Sequence, residues 1–109
     1  MTTFDKREKA FEAKFAQSES LRFKASARRN KLLGLWAADL MGLVGADADA
    51  YAKEVIKSDF EEVGDDDVFR KVRADLEAKN VDRSEQQIRK QMDELLSVAK
   101  AQLMGEEEE

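Results

Sequence analysis

The sequence predicts an all-α fold, a four-helix bundle with a long N-terminal helical arm, and three observations support this prediction. The chain contains no proline, a residue that breaks a helix interior at a cost of about 3 kcal/mol. Alanine, glutamate, lysine, leucine and arginine dominate its composition, and all five are strong helix formers. Apolar residues recur at spacings of three and four, which is the period of an amphipathic helix.

The first helical segment covers residues 3–42 and changes character near its middle. Residues 21–42 are strongly apolar, so this half is predicted to lie at the centre of the bundle, with Trp36 as a core anchor or, alternatively, an interface residue. The apolar period slips before this half, which predicts a bend or a frayed joint at residues 16–20. The earlier half carries only three large apolar side chains, Phe4, Phe11 and Phe15.

The three later segments, 46–63, 66–79 and 85–104, are regular amphipathic helices. Each places its apolar residues on one face, so that three faces can pack around the apolar half of the first segment. Short connections between them favour antiparallel neighbours. The residues predicted to face the core include Tyr51, Val55, Phe60, Val63, Val68, Phe69, Val72, Leu76, Ile88, Met92, Ala99 and Leu103.

Helix ends are marked by residues that adopt the left-handed conformation or that cap a helix. Glycines predict breaks at four positions and Asn80 predicts another. Ser84 followed by Gln87 forms a capping box, which predicts a helix start. The glycines in question are Gly42, Gly45, Gly64 and Gly105. Gly42 and Gly45 are assigned to turns, because the Gly-Lys-Ser/Thr ending of a phosphate-binding loop is missing.

Three consecutive aspartates, residues 65–67, lie at the predicted start of the third segment. Negative charge is favourable there, because the first turn of a helix carries unpaired N–H groups. A calcium loop is the alternative, but its pattern requires alternating ligands around a central glycine, which this stretch lacks. We therefore interpret the aspartates as a helix start.

Composition and charge exclude or disfavour several classes of function. The chain has neither cysteine nor histidine, so disulfides, thiolate chemistry and the commonest general base and metal ligand are missing. A net charge of −5 disfavours nucleic-acid binding. No apolar run approaches the length of a membrane span, and a cytoplasmic protein is expected. These features predict a binding protein and not an enzyme.

A basic stretch stands out in this acidic chain and has two interpretations. It could hold a phosphate, a nucleotide such as ADP or ATP, or an acidic partner surface. It could instead be a solvated helix face whose cations pair with acids of neighbouring helices. The candidate nucleotide-binding residues are Arg22, Arg28, Arg29 and Lys31.

The three early phenylalanines also leave two interpretations open. Their spacings of seven and four place them on one stripe of a helix. The stripe either packs on the protein's own bundle or docks into a groove of a partner. In the second case nearby cations, among them Lys6, Arg7 and Lys14, would add charge contacts with that partner.

Six blocks of the sequence form a recognisable pattern. The most specific block is RRNKLLGLWAA at residues 28–38. The other blocks are TTFDKRE (2–8), FEAKFA (11–16), YAKEV (51–55), DFEE (59–62) and MDELL (92–96). In order and spacing, along nearly the whole chain, these blocks resemble the zeta subunit family of alphaproteobacterial F-type ATP synthases.

This resemblance implies a four-helix fold and an inhibitor of ATP hydrolysis by the catalytic F1 head. It implies that residues 1–19 form an arm that enters an interface between catalytic subunits, with residues 20–105 as the anchoring bundle. The run of glutamates at residues 106–109 is expected, from its charge alone, to be a solvated acidic tail. The expected partners are the alpha, beta and gamma subunits, reached by a free monomer at the cytoplasmic side of the inner membrane. Carried over to this sequence, the partner-binding residues are Phe4, Lys6, Arg7, Phe11, Lys14 and Phe15, with no required cofactor.

Two other functions stay open from the sequence. One is a small nucleotide-binding sensor that uses the basic stretch, and the other is a helical adaptor whose phenylalanine stripe belongs to its own core. Nucleotide titration separates the first from an inhibitor, and truncation of the arm separates the second.

Overall fold

The structure, a computed structural model, describes the backbone of residues 3–59 and 64–107 and the side chains of residues 6–59 and 64–106. The predicted core residues Phe60 and Val63, the side chain of Phe4 and the end of the acidic tail lie outside the described residues. The described part forms five α-helices and no strand, which confirms the all-α class. They are α1 (Thr3–Gln17), α2 (Glu19–Leu40), α3 (Gly45–Ser58), α4 (Asp66–Ala78) and α5 (Glu85–Glu107).

The first segment of the sequence forms two helices, α1 and α2, because the helix breaks at Ser18. This residue is extended (φ −107°, ψ 109°), and its hydroxyl accepts a 3.1 Å hydrogen bond from the N–H of Leu21, which caps α2. The predicted joint at residues 16–20 is therefore confirmed. The four-helix bundle with a long arm is not confirmed, because the described residues form five helices and α1 lies against the others.

Helix α2 is the central element, as its apolar composition predicts. It contacts each of the four other helices and packs most extensively on α3 and α5. Trp36 is partly buried against the same core. The buried residues of this main core come from α2 to α5 and are Leu33, Ala37, Ala38, Tyr51, Val55, Val68, Phe69, Val72, Leu76, Ile88 and Met92.

Gly34 sets the distance between α2 and α3. A Cβ atom built at this position would lie 2.7 Å from the Cα of Ala52 and 3.3 Å from Cγ2 of Val55. Such separations are shorter than van der Waals contact, so glycine allows the two backbones to approach. The close crossing brings Ala52 and Val55 of α3 against α2.

A second, smaller apolar group lies where α1, the beginning of α2 and the end of α5 meet. We call it the satellite cluster. It is separate from the main core and stabilises only this end of the molecule. Its buried members are Phe11, Leu21, Ala25 and Leu103, and Phe15, Leu96 and Met104 pack against them.

Most predicted helix boundaries agree with the structure. Gly42, Gly45, Gly64 and Asn80 all adopt positive φ angles, between 58° and 96°. The capping box is present, since the N–H of Ser84 donates to Oε1 of Gln87 at 2.9 Å and the N–H of Gln87 donates to the Ser84 hydroxyl at 3.1 Å.

Gly105 is the exception, because α5 continues through it to Glu107. Its prediction as a break was wrong. The aspartates at 65–67 do mark a helix start, since α4 begins at Asp66.

Candidate partner-binding site

Helix α1 is joined to α2 through the extended backbone of Ser18, and Arg22 closes the end of α1. The Nη1 of Arg22 donates hydrogen bonds to the carbonyl oxygens of Phe15 (3.2 Å) and Ala16 (2.6 Å). The last carbonyls of a helix have no partner within the helix and carry partial negative charge, so a guanidinium there is favourable. Arg22 thus caps α1 from the first turns of α2.

Two of the three phenylalanines of the stripe, Phe11 and Phe15, pack on the protein's own helices. Phe11 is buried, with 7% of its surface exposed, against Leu21, Ala25 and Leu103. The Phe15 ring is partly buried, and its centroid lies 6.2 Å from that of Phe11 at an interplanar angle of 34°. In the free chain, Phe11 and Phe15 therefore follow the interpretation in which the stripe packs on the protein's own bundle.

Lys100 of α5 contacts α1 at the solvent-exposed edge of this packing. Its Nζ lies 3.0 Å from Oε2 of Glu12 and 4.4 Å from the centroid of the Phe15 ring. An ammonium at this distance over an aromatic face is attracted by the ring's quadrupole. One side chain thus makes an ion pair and a cation–π contact with α1, and it borders an open groove with Glu8 and Ala101.

The predicted cations of α1 do not lie in the packed contact. Lys6, Arg7 and Lys14 all have exposed side chains, as does most of this helix apart from Phe11 and Phe15. The described side chains of α1 therefore present more cations than carboxylates to solvent, while Phe11 and Phe15 face the bundle.

The four residues of the nucleotide hypothesis are engaged in different places. Arg22 caps α1, while Arg28 forms a two-bond ion pair with Glu106 at the end of α5, in which Nη2 donates to Oε1 at 3.1 Å. The hydrogen bond from Arg28 lowers the pKa of the Glu106 carboxyl. Lys31 lies beside α3, at a groove lined also by Lys53.

Arg29 is buried, with 5% of its surface exposed, and is turned toward the connection between α3 and α4. Its Nε donates to Oδ1 of Asn30 at 2.7 Å, and its Nη1 lies 3.7 Å from Oδ2 of Asp65. The structure does not gather Arg22, Arg28, Arg29 and Lys31 around one site. The interpretation of cations paired with acids accounts for Arg28 and Arg29, and nucleotide binding stays a prediction.

Sequence reasoning missed Lys100 and Glu106, the two residues of α5 that tie the satellite cluster together. Lys100 lies three residues before the buried Leu103, so helical spacing places its stem beside the apolar face of α5. Its partner Glu12 is 88 positions away in the chain. Helical periodicity reports only neighbours three and four residues apart, so it contains no signal for this pair.

The chain is similar to a known protein family and to a protein of known structure. A family model described as ATPase inhibitor subunit zeta matches residues 1–102. A protein solved by solution NMR is 55% identical to the chain, with a TM-score of 0.70 over 79% of this chain and 98% of the other. No curated protein sequence matches significantly. Among the described helices, none has the length and apolar character needed to cross a membrane.

Proposed function

The chain belongs to the ATPase inhibitor subunit zeta family, and from this membership we propose that it inhibits ATP hydrolysis by the F1 head of an ATP synthase. In this proposal residues 1–19 enter an interface between catalytic subunits and block rotation in the hydrolytic direction. Residues 20–105 stay outside as an anchoring body. The partners are the alpha, beta and gamma subunits, and the free protein is a monomer on the cytoplasmic side of the membrane.

The observation that carries this proposal is the way α1 joins the rest of the chain. It is a separate helix of 15 residues, linked to α2 through one extended residue, Ser18, and packed on the satellite cluster instead of the main core. Movement of α1 would therefore leave every buried residue of the main core in place. A segment that can leave without unfolding its own protein suits steric insertion into a partner.

The surface chemistry of α1 also suits insertion. Phe11 and Phe15 supply apolar area worth about 1.5–3 kcal/mol each when fully buried. Lys6, Arg7 and Lys14 place cations on the remaining surface, where acidic rim residues of a groove would attract them. Because α1 is already helical in the free chain, binding need not supply the ordering cost of about 1–2 kcal/mol per residue that a coil would carry.

Membership of an inhibitor family is consistent with a non-catalytic role. The proposed mechanism needs only shape, apolar contact and charge, and no residue of the chain donates or accepts a proton in a reaction. A requirement for ADP or ATP forms no part of it.

The test is ATP hydrolysis by purified F1-ATPase from the same source, titrated with the full chain and with a variant that lacks residues 1–19. We expect the full chain to lower the hydrolysis rate and the truncated chain to lose this effect. The truncated chain should keep its helical circular dichroism and a cooperative melt, because the main core does not include α1.

Lys90→Glu is the matched control, because Lys90 is an exposed residue of α5 that lies outside the satellite cluster. It should inhibit as the unmodified chain does. Equal inhibition by the truncated chain would show that α1 is not the inhibitory segment. Absence of inhibition by the full chain would refute the proposed function itself.

A further inference from the structure

The contact between α1 and α5 occupies the surface that the proposed function requires to be available. We propose that this contact is an autoinhibitory latch, in which Lys100 and the satellite cluster hold the Phe11–Phe15 stripe until α1 undocks. The inference rests on the proposed function and adds a regulatory step to it. In the free chain the closed form predominates, and only the open form inhibits.

The geometry makes the two uses of the stripe mutually exclusive. Phe11 exposes only 7% of its surface while it packs against Leu21, Ala25 and Leu103. A ring in that position has no face left for a second apolar surface, so it cannot fill a groove of another protein at the same time. Insertion therefore requires that the ring first leave the satellite cluster.

Lys100 is suited to hold the closed form without making it permanent. Its ion pair with Glu12 and its cation–π contact with Phe15 act on two residues of the same turn of α1. The Lys100 side chain is about one quarter exposed and Glu12 about one half exposed, so solvent screens the pair and it can exchange readily. When these contacts break, α1 rotates away from α5 about Ser18, the single extended residue between α1 and α2.

The latch lowers apparent affinity by mass action. A ligand-competent state that is populated at a fraction f binds with an apparent dissociation constant 1/f times the intrinsic one. Weakening the latch raises f without altering any α1 residue, and so it should strengthen inhibition. A contact that only stabilised the fold would give the opposite result, because its loss would reduce the amount of working inhibitor.

The first test is Lys100→Glu, which removes both contacts and places a like charge beside Glu12. We expect faster amide hydrogen exchange in residues 6–17 and a half-inhibitory concentration roughly three to ten times lower. Lys90→Glu makes the same charge change on an exposed position of the same helix, and it should change neither measurement. Faster exchange with unchanged or weaker inhibition would overturn the latch, and unchanged exchange would overturn the role of Lys100.

The second test closes the latch covalently. Glu8 and Ala101 line the groove between the two helices, and the chain has no cysteine of its own. A Glu8→Cys, Ala101→Cys variant can therefore be bridged at these two positions alone with a reducible bismaleimide. The bridged protein should lose inhibition and recover it on reduction.

The unbridged variant with both thiols capped by a monofunctional maleimide is the control for the added groups. Equal inhibition by bridged and capped protein would overturn the latch while leaving the proposed function intact. Absence of inhibition by the unmodified chain would instead refute the proposed function, and the latch with it.

Discussion

At the scale of single residues, Tyr51 is the centre of a polar network at the edge of the main core. Its hydroxyl donates a 2.8 Å hydrogen bond to Oδ2 of Asp75, which also accepts one of 2.8 Å from Nζ of Lys71. The same ammonium lies 5.3 Å from the centroid of the Tyr51 ring. Burial, followed by the hydrogen bond to Asp75, raises the pKa of the Tyr51 phenol well above its ordinary value near 10.

This raised pKa predicts that Tyr51 makes the protein less stable as the solution becomes alkaline. Below about pH 10 both the folded and the unfolded chain keep the phenolic proton, so the full contribution of Tyr51 is present. Above that pH the unfolded chain loses the proton first, and the free energy of unfolding falls by up to about 1.4 kcal/mol per pH unit.

Denaturant unfolding at a series of alkaline pH values checks this prediction, with Tyr51→Phe as the comparison. The variant should lose about 1 kcal/mol near neutral pH with its hydrogen bond, and its stability should fall less steeply above about pH 10. Tyr51 is the single tyrosine of the chain, so tyrosinate absorbance reports its titration directly. A midpoint at the ordinary value would contradict the raised pKa.

Gly34 offers a second prediction at this scale. Alanine here would bring its Cβ within 2.7 Å of the Ala52 backbone, so α2 and α3 would have to separate. We expect Gly34→Ala to lower the free energy of unfolding by about 1–3 kcal/mol, as overpacked cores do. Gly105→Ala is the control, because no atom lies within 4 Å of its added Cβ. That variant should lose nothing and could gain up to about 1 kcal/mol of helix propensity.

At the scale of whole elements, the break between α1 and α2 is a local feature with a local cause. The Ser18 hydroxyl accepts from the Leu21 N–H, which satisfies one of the unpaired donors at the start of α2. Ser18→Ala should therefore cost about 0.5–2 kcal/mol. It should also speed hydrogen exchange at the Leu21 amide.

Ser20→Ala is the matched control for that prediction, since Ser20 is exposed within the first turn of α2. Alanine is the better helix former, so this variant should be at least as stable as the unmodified chain. An equal loss in both variants would show that the Ser18 hydroxyl does not cap the helix.

The elements that the sequence predicted well are those whose determinants are close together in the chain. Helix α4 buries Val68, Phe69, Val72 and Leu76, which are the residues that its spacing selected. The joint before α2 was visible as a slip in that spacing. The end of α5 could not be predicted from the spacing. The ion pair between Arg28 and Glu106 supports the helix beyond Gly105, and Arg28 belongs to α2, far away in the sequence.

At the scale of the whole molecule, the chain has two apolar groups of unequal size. The radius of gyration is 15.2 Å, against about 13 Å for a compact domain of this length. The excess is consistent with the way α1 and the last turns of α5 extend beyond the main core. The main core sustains the fold, and the satellite cluster positions α1.

Whether the candidate site was packed or free could not be predicted from the sequence. The three phenylalanines marked an apolar stripe, but a stripe has the same spacing whether it faces its own bundle or another protein. The choice depends on Lys100 and Leu103, which lie close to Phe11 and Phe15 only in the folded chain. The helices were therefore predictable from local spacing, and the docking of α1 was not.

Because Glu12 and Lys100 are far apart in the sequence, the two residues are added to the growing chain at different times. Eighty-eight positions separate the two residues. At an elongation rate of about 5–20 residues per second, Lys100 is added roughly 4–18 s after Glu12. Throughout that interval the growing polypeptide carries Phe11 and Phe15 without the α5 surface that covers them. We expect the charged residues beside the two rings, among them Glu12 and Lys14, to favour solubility of the growing chain during that interval.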